Sequence, residues 1–392
     1  MRFTFTKEQN EFRKEVQDFL KAELPETSPK AGGLSEIRSV EFSQKMGKKG
    51  WIGMTWPKEF GGQGRTYVEK AILMEELFRA QAPLGHHFMA DRQIGPAIIH
   101  FGSQWQKEHF LPRIVKGEPG ISFCLLFSEP NAGSDLVAVA TKAIKDGDDY
   151  VVSGQKVWTS GGHTADYGWL LAVTNFDSSV PKHMACSQFI FDMKAPGVTV
   201  RPIINSVGHH SFNEVFMDEV RVSKKFMVGK DGDGFKQIMA QMDYERAGLE
   251  RLMQNYPLSG MLKGYIKQMG QAGPRDDFYG WARDSLAQME IEYNIGRLFC
   301  YYTAWTIDQG RTPTKEAAMA KAYCTQYEQR LNDVAMRVLG PASQIRPGVK
   351  WAPFEGYAAE AYLWGPSYTL QGGTVEVLKN IIAQRGLGLP KK

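Results

Sequence analysis

The sequence predicts an α+β multidomain fold: an N-terminal helical domain over residues 1–120, a central antiparallel β-domain over 121–233, and a C-terminal four-helix bundle over 234–392. Two changes of hydrophobic period carry that prediction. Apolar residues recur at helical spacing up to about residue 120, give way to short runs of β-formers, and return to helical spacing from Gly234. In the first segment Thr6 stands before Glu8 and Glu11, with Phe12, Val16 and Phe19-Leu20 following at helical intervals, as in a capped amphipathic helix. Val68 to Arg79 and Ser103 to Val115 repeat the period, with breaks at Pro57, Gly61-Gly62 and Pro83 to Gly85.

The β-rich runs are Ile121–Phe127, Tyr150–Val152, Gly168–Val173, Ser187–Phe191, Val198–Ile204 and Glu214–Val222, separated by Gly, Asp, Asn and Pro. Lys145-Asp146-Gly147-Asp148-Asp149 reads as a hairpin turn. The last segment offers four helical stretches, 234–254, 278–309, 315–339 and 374–387, punctuated by Pro313 and Gly340-Pro341.

Composition excludes several classes. The chain has 392 residues, 43% of them hydrophobic, enough for a large core. Forty-seven basic against 43 acidic residues leave a net charge of +4, and no basic tract points to nucleic acid. Cys124, Cys186, Cys300 and Cys324 form no CxxC pair, so neither a metal site nor a disulfide framework is expected, and a cytoplasmic setting fits. Lys7, Glu8 and Glu11 stand where a signal peptide needs an apolar core, and no stretch reaches the ~20 apolar residues of a membrane span.

Two polar turns carry the functional signal. Leu126-Phe127-Ser128-Glu129-Pro130-Asn131-Ala132-Gly133-Ser134-Asp135 and Gln155-Lys156-Val157-Trp158-Thr159-Ser160-Gly161-Gly162 each follow a strand. Together they present small hydroxyls, bare backbone N–H groups and one indole to a flat polar ring, which suggests a flavin. Either turn alone is also an ordinary surface turn.

These segments resemble the flavin-contacting turns of the acyl-CoA dehydrogenase family. The resemblance extends through Trp56-Pro57-Lys58-Glu59-Phe60-Gly61-Gly62, Lys107 to Pro112, Gly117-Glu118 and Val338-Leu339-Gly340. It closes with Gly372-Gly373-Thr374-Val375-Glu376 and Asn380 to Arg385. It implies an oxidoreductase that forms a trans-2-enoyl-CoA, with FAD as cofactor, acyl-CoA as substrate and electron-transferring flavoprotein as electron acceptor. It also implies a homo- or heterotetramer.

Carried over residue by residue, the resemblance implies that Leu126, Phe127 and Ser128 line the flavin, Trp158 covers it and Ser160 bonds near its reacting nitrogen. Ser134 would face the CoA arm. Thr374 and Glu376 would lie near the pyrophosphate and adenine, and Arg337 stands where Gln is common in the cofactor-contacting segment. The backbone N–H of Gly372 would donate to the thioester carbonyl. Many members carry the base at the Gly372 position, but a branch of the family places it on a C-terminal helix as Glu-Arg. Asp243-Tyr244-Glu245-Arg246 matches that pattern, with Glu245 as base and Asp243, Tyr244 and Arg246 near the substrate.

A solvated glutamate is the ordinary reading of such a residue. Glu250-Arg251 repeats the dipeptide five residues on, which on a continuous helix would place Glu250 roughly 140° away from Glu245. The Arg-x-x-Phe-Gly motif of the family is missing, with Pro274-Arg275-Asp276-Asp277-Phe278-Tyr279 at best a displaced remnant, and Pro341 replaces a second glycine. Gly372-Gly373, preceded by the bulky and irregular-looking Tyr362-Leu363-Trp364-Gly365-Pro366, suggests a branched or bulky acyl group such as a sterol side chain. Two alternatives stay open: a non-catalytic or half-site subunit of a heteromeric dehydrogenase, and a flavin monooxygenase or oxidase on the same scaffold.

Overall fold

The structure is a computed structural model that describes residues 4–24, 37–245, 248–273 and 276–390, with the side chains of 242–245 and 250 left undescribed. It has a helical N-terminal domain, a central sheet domain and a C-terminal helical domain. Packing groups the elements into two compact units: residues 35–65 with 83–245, and residues 1–34, 66–82 and 246–392.

In the sheet-bearing unit, β1 (Phe123–Leu126), β2 (Lys142–Asp146), β3 (Asp149–Lys156), β4 (Tyr167–Val173), β5 (Cys186–Asp192), β6 (Val198–Ile204), β7 (His210–Ser223) and β8 (Met227–Val228) form one sheet. The strand order is β6-β7-β3-β2-β4-β5-β8, and β1 adds to it through β4. Most neighbours are antiparallel, while β1–β4 and β2–β4 run parallel. The expected hairpin turn at Gly147-Asp148 is present, joining Asp146 to Asp149. β2 went unread in the sequence because its pattern, Lys-Ala-Ile-Lys-Asp, buries only Ala143. One face packs a core that includes Leu126, Val152, Leu170, Phe189 and Val215. Helices α2 (Val40–Lys48), α4 (Gly95–Phe101), α5 (Gln104–Val115) and α6 (Gly234–Glu245) complete the unit.

A buried ion pair ties the two polar turns together. Lys156, at the end of β3, is 0% exposed, and its Nζ donates to Glu129 Oε1 at 2.8 Å and to the Phe127 carbonyl at 3.1 Å. Glu129 also accepts from the backbone N–H groups of Ala140 and Thr141, at 2.7 and 2.9 Å. Burial pushes the Lys156 ammonium down to about 8 against the pull of Glu129. Burial pushes the Glu129 carboxyl up, but the charge of Lys156 and these hydrogen bonds outweigh it and hold the carboxyl below its ordinary value. Near neutral pH the pair is therefore ionised.

The helical unit holds α1 (Lys7–Glu23), α3 (Tyr67–Arg79), α7 (Tyr256–Ala272), α8 (Asp277–Asp308), α9 (Thr314–Leu339), α10 (Tyr357–Leu370) and α11 (Val375–Ile381). Thr6 caps α1 as expected, closing its capping box with Gln9. The Tyr362–Pro366 segment, read as irregular, lies inside α10, where Pro366 is tolerated within the helix. Among the described residues, no helix is long and apolar enough to cross a membrane.

At the centre of the α1–α3–α8 packing sits Glu75, 0% exposed. Arg297 reaches Glu75 with Nε at 2.6 Å and its second nitrogen at 3.0 Å, Tyr301 donates at 2.7 Å, and Arg13 and Arg79 lie at 2.9 and 3.0 Å. Arg13 also pairs with Glu76. Burial pushes the Glu75 carboxyl up, but Arg297, then Tyr301 and Arg13, overcome it and hold it at about 2. A second buried carboxyl behaves oppositely: Glu328 on α9 accepts from the Asn255 backbone N–H at 3.1 Å, and burial drives it up to about 8.

Three predictions follow from these buried charges. Lys156→Met leaves Glu129 buried beside backbone donors only, and should weaken hydrogen-exchange protection in β3 by about 3 kcal/mol, with Lys156→Met/Glu129→Gln recovering part of the loss. Glu75→Gln should loosen α1, lowering the protection of its amides by about 3 kcal/mol. The Glu75 contribution exists above the ordinary glutamate range and is lost as pH falls toward 2. For Glu328 the sign is reversed, because its folded value is raised: its contribution is present below about pH 4.5 and lost as pH rises to about 8. Denaturation midpoints between pH 5 and 8 should therefore decline less steeply in Glu328→Gln, and parallel slopes would refute this role.

Candidate functional site

Leu126 closes β1 and is fully buried in the sheet core, so only its backbone can face a ligand. Phe127 is half-buried against Ala132, Val139 and Leu171, and Ser128 is half-buried at the start of the turn. The two turns meet directly: the Val157 N–H donates to the Ser128 carbonyl at 2.9 Å. Lys156 reinforces that contact from beneath through Phe127 and Glu129.

Trp158 has φ 61°, a left-handed conformation that costs a bulky non-glycine residue about 1–2 kcal/mol. The neighbouring bonds over-determine it, with Val157 tied to Ser128 on one side and Thr159 N–H to the Asn213 carbonyl at 3.0 Å on the other. The result is an indole 59% exposed, touching Phe212 edge-on with ring centroids 6.0 Å apart. Beside it the Thr159 hydroxyl is buried with no hydrogen-bond partner, and Ser160 is exposed. A strained turn that offers an aromatic face, a free hydroxyl and an orphaned buried hydroxyl fits a flat polar ring. Ser134 is exposed in the other turn.

Asp243, Tyr244 and Glu245 form the end of α6, in the same unit as the two turns. Their side chains lie outside the described residues, as does Arg246 entirely. The backbone corrects the expectation of one helix over 234–254. Gly248 is extended, with φ −97° and ψ 156°, and Leu249–Arg251 form a separate 3-10 turn. Glu245 and Glu250 therefore do not share a helix, and the 140° argument between them does not apply.

The helical unit holds the remaining candidates. Gly372 and Gly373 both have left-handed backbone, with φ 66° and 97°, a conformation that glycine adopts without strain. Lys321 of α9, fully buried, fixes this loop by donating from Nζ to the Gly373 carbonyl at 2.5 Å. Thr374 caps α11, its hydroxyl accepting from the Val377 N–H at 3.3 Å, and Glu376 is exposed in the first turn. The N–H bonds at this helix start, together with Thr374, hold the Glu376 carboxyl below its ordinary value. Arg337 lies on α9 with its guanidinium 4.4 Å from the Trp281 ring centroid. Of the remnant Arg-motif segment, Pro274 and Arg275 lie outside the described residues, while Asp276 caps α8 by accepting from Tyr279 N–H at 2.9 Å.

Sequence reasoning missed Glu129, Lys156, Asn213 and Lys321 as supports. Strand parity held a signal for two of them. Tyr150, Val152 and Lys156 are the buried positions of β3, and Ser211, Asn213, Val215 and Met217 alternate inward along β7. A lysine or asparagine on an inward face needs a buried partner.

Family profiles described as the N-terminal, middle and C-terminal domains of acyl-CoA dehydrogenase match residues 6–118, 124–220 and 232–387. Acyl-CoA dehydrogenase FadE26 of Mycobacterium tuberculosis is 32% identical over 409 residues, covering 100% of this chain and 99% of that protein. Among solved structures, the Tcur3481-Tcur3483 steroid ACAD superposes with a TM-score of 0.89 at 30% identity, covering 100% of both chains. The ChsE4-ChsE5 complex from Mycobacterium tuberculosis gives 0.84 at 31%, again covering 100% of both. The chain belongs to the acyl-CoA dehydrogenase family, as an FAD-dependent oxidoreductase acting on the CH–CH group of an acyl-CoA.

Proposed function

We propose that this enzyme dehydrogenates a branched or bulky acyl-CoA between Cα and Cβ, giving a trans-2-enoyl-CoA, with Glu245 as the base. The reaction needs a base for the α-proton, donors for the enolate-like oxygen and an acceptor for the β-hydrogen with its electron pair. FAD, when bound, supplies that acceptor. The observation that carries the reading is the placement of Glu245 on the last described turn of α6, in the same unit as the Trp158 turn, while the family's other base position is Gly372.

In this reading Leu126 and Phe127 act through backbone, and Ser128 and Ser160 through hydroxyls, to orient the cofactor that Trp158 covers. Ser134, Asp243, Tyr244 and Arg246 serve acyl-CoA, the Gly372 N–H polarises the thioester carbonyl, and Arg337, Thr374 and Glu376 serve the nucleotide end of FAD. Functionally, residues 1–120 form the N-terminal helical domain, 121–233 bear flavin and acyl-CoA contacts, and 234–392 bear the base, FAD and oligomer contacts.

The Tcur3481-Tcur3483 steroid ACAD and Gly372-Gly373, which clears side chains from beside the carbonyl, support a sterol-derived acyl group. Assembly as a homo- or heterotetramer is supported by Ile291, Ile295 and Leu298, an apolar stripe on α8 that is 56, 39 and 41% exposed. Electron-transferring flavoprotein is the proposed acceptor. The second reading, a half-site subunit, is favoured by the missing Arg-x-x-Phe-Gly motif. Failure of the purified chain to take up added FAD until a partner subunit is supplied would favour it.

Glu245→Gln should bind FAD and acyl-CoA normally yet slow anaerobic flavin bleaching by about 10³-fold, the loss expected when a general base is removed. Glu250→Gln should bleach at nearly the parental rate. If Glu250→Gln is the slow variant, the base is misassigned. Best turnover on a short linear acyl-CoA would instead overturn the substrate class.

A further inference from the structure

The Trp158 turn is held from behind by a polar group that the family comparison does not assign. Asn213 of β7 is 0% exposed and uses its whole amide. Its Nδ2 donates to the Thr159 carbonyl at 2.9 Å and meets His163 Nδ1 at 3.2 Å, while its Oδ1 lies 2.7 Å from His210 Nε2. The backbone of Asn213 returns the contact, its carbonyl accepting the Thr159 N–H at 3.0 Å. The His163 and His210 rings stack with centroids 3.9 Å apart and planes 22° from parallel. Next to them, Gly161 N–H donates to the Ser211 carbonyl at 3.1 Å. Gly162 must be glycine for this approach: a Cβ there would stand 2.9 Å from the Thr159 methyl and 3.4 Å from Asn213 Nδ2.

We infer that Asn213 is the positioning residue for the flavin-covering turn, and that the stacked imidazoles of His163 and His210 hold its amide in place. Turning the amide over would set Oδ1 against the Thr159 carbonyl, so that carbonyl fixes its orientation and the two neutral imidazoles take the tautomers that match it. With Nδ2 toward Thr159, His163 must present a bare Nδ1 and His210 must carry its proton on Nε2.

Trp158, one residue from the clamped Thr159, cannot relax to a right-handed conformation while both its neighbours are bonded. The strained φ of Trp158 is therefore sustained from two sides, by Ser128 and by Asn213. Protonating His163 would put a donor against a donor and open one side. The groups facing His163 agree with a neutral ring: burial, then the charges of His210 and Arg38, hold its value below that of an ordinary histidine. Arg38 itself is occupied by the Thr164 carbonyl at 2.5 Å. Because the folded value is lowered, the clamp is intact above the ordinary histidine value and weakens as pH falls below it.

This inference rests on the Trp158 turn facing the flavin, so the test carries a control for that reading. The FAD-loaded holoenzyme is compared with Asn213→Asp, His163→Leu, His163→Asn and Trp158→Ala. The readouts are visible circular dichroism of the flavin, FAD affinity, and flavin dichroism from pH 8 to pH 5.5. Asn213→Asp sets carboxylate oxygen against the Thr159 carbonyl, and His163→Leu removes the acceptor.

Both should change the flavin dichroism and weaken FAD binding about tenfold, while His163→Asn, which restores an acceptor, should recover the parental values. The parental dichroism should drift as pH falls, and that drift should vanish in His163→Asn. If Trp158→Ala moves the flavin signal but Asn213→Asp does not, the clamp is refuted and the flavin turn stands. If Trp158→Ala also leaves the signal unchanged, both are refuted. If His163→Asn behaves like His163→Leu, the imidazoles act by bulk alone, and their hydrogen-bonding role is overturned.

Discussion

The ion pair between Lys156 and Glu129 is the constraint on which the two polar turns of the sheet-bearing unit depend. Neither charge would be stable where it sits without the other, because each has been taken out of water into the sheet. Their meeting fixes the distance between the end of β3 and the turn after β1, two segments far apart in sequence. The Ser128–Val157 bond, the left-handed Trp158 and the Asn213 contact all lie on the segments that this pair joins. A hydrophobic pair could fill the volume. It could not also bond the Phe127 carbonyl and two backbone N–H groups, so the ionised pair supplies register as well as cohesion.

The helical unit uses charge differently. Glu75 is satisfied by several partners at once, so its carboxylate is more comfortable buried than exposed, and α1, α3 and α8 converge on it. Glu328 instead accepts from the Asn255 N–H, at the N-terminal end of α7. One carboxylate is therefore an anchor that strengthens with ionisation and the other an anchor that weakens with it. Both are buried in the packing of the helical unit.

Much of the fold was legible because hydrophobic period changes are coarse signals. The switch from helical to strand spacing near residue 121, and back near 234, reflects which faces must be buried. What failed was finer. β2 was missed because it buries one apolar residue. α7 and α10 were missed because Gly260, Gly264 and Pro366 argue against helix locally, while packing within the bundle overrides them. The continuous helix expected past Glu245 broke at Gly248, whose extended backbone no apolar pattern announces. Motif residues such as Trp158 and Gly372 were named as candidates from sequence. Their supports, Lys156, Asn213 and Lys321, could not be, because a buried polar residue is defined by partners that only the folded chain brings near.

The position of Glu245 at the end of α6 has an electrical consequence. The peptide dipoles of a helix sum to a negative pole at its C-terminus, carried by carbonyls in the last turn. A carboxyl group there feels that pole as a like charge, worth about 0.3–1 kcal/mol at an exposed site and more where water is excluded. In the proposed reading, with Glu245 as the base, that pole favours the protonated form and raises its proton affinity. A glutamate on the Gly372 loop would stand before the start of α11, at the opposite pole, and would be made a weaker base by the same physics.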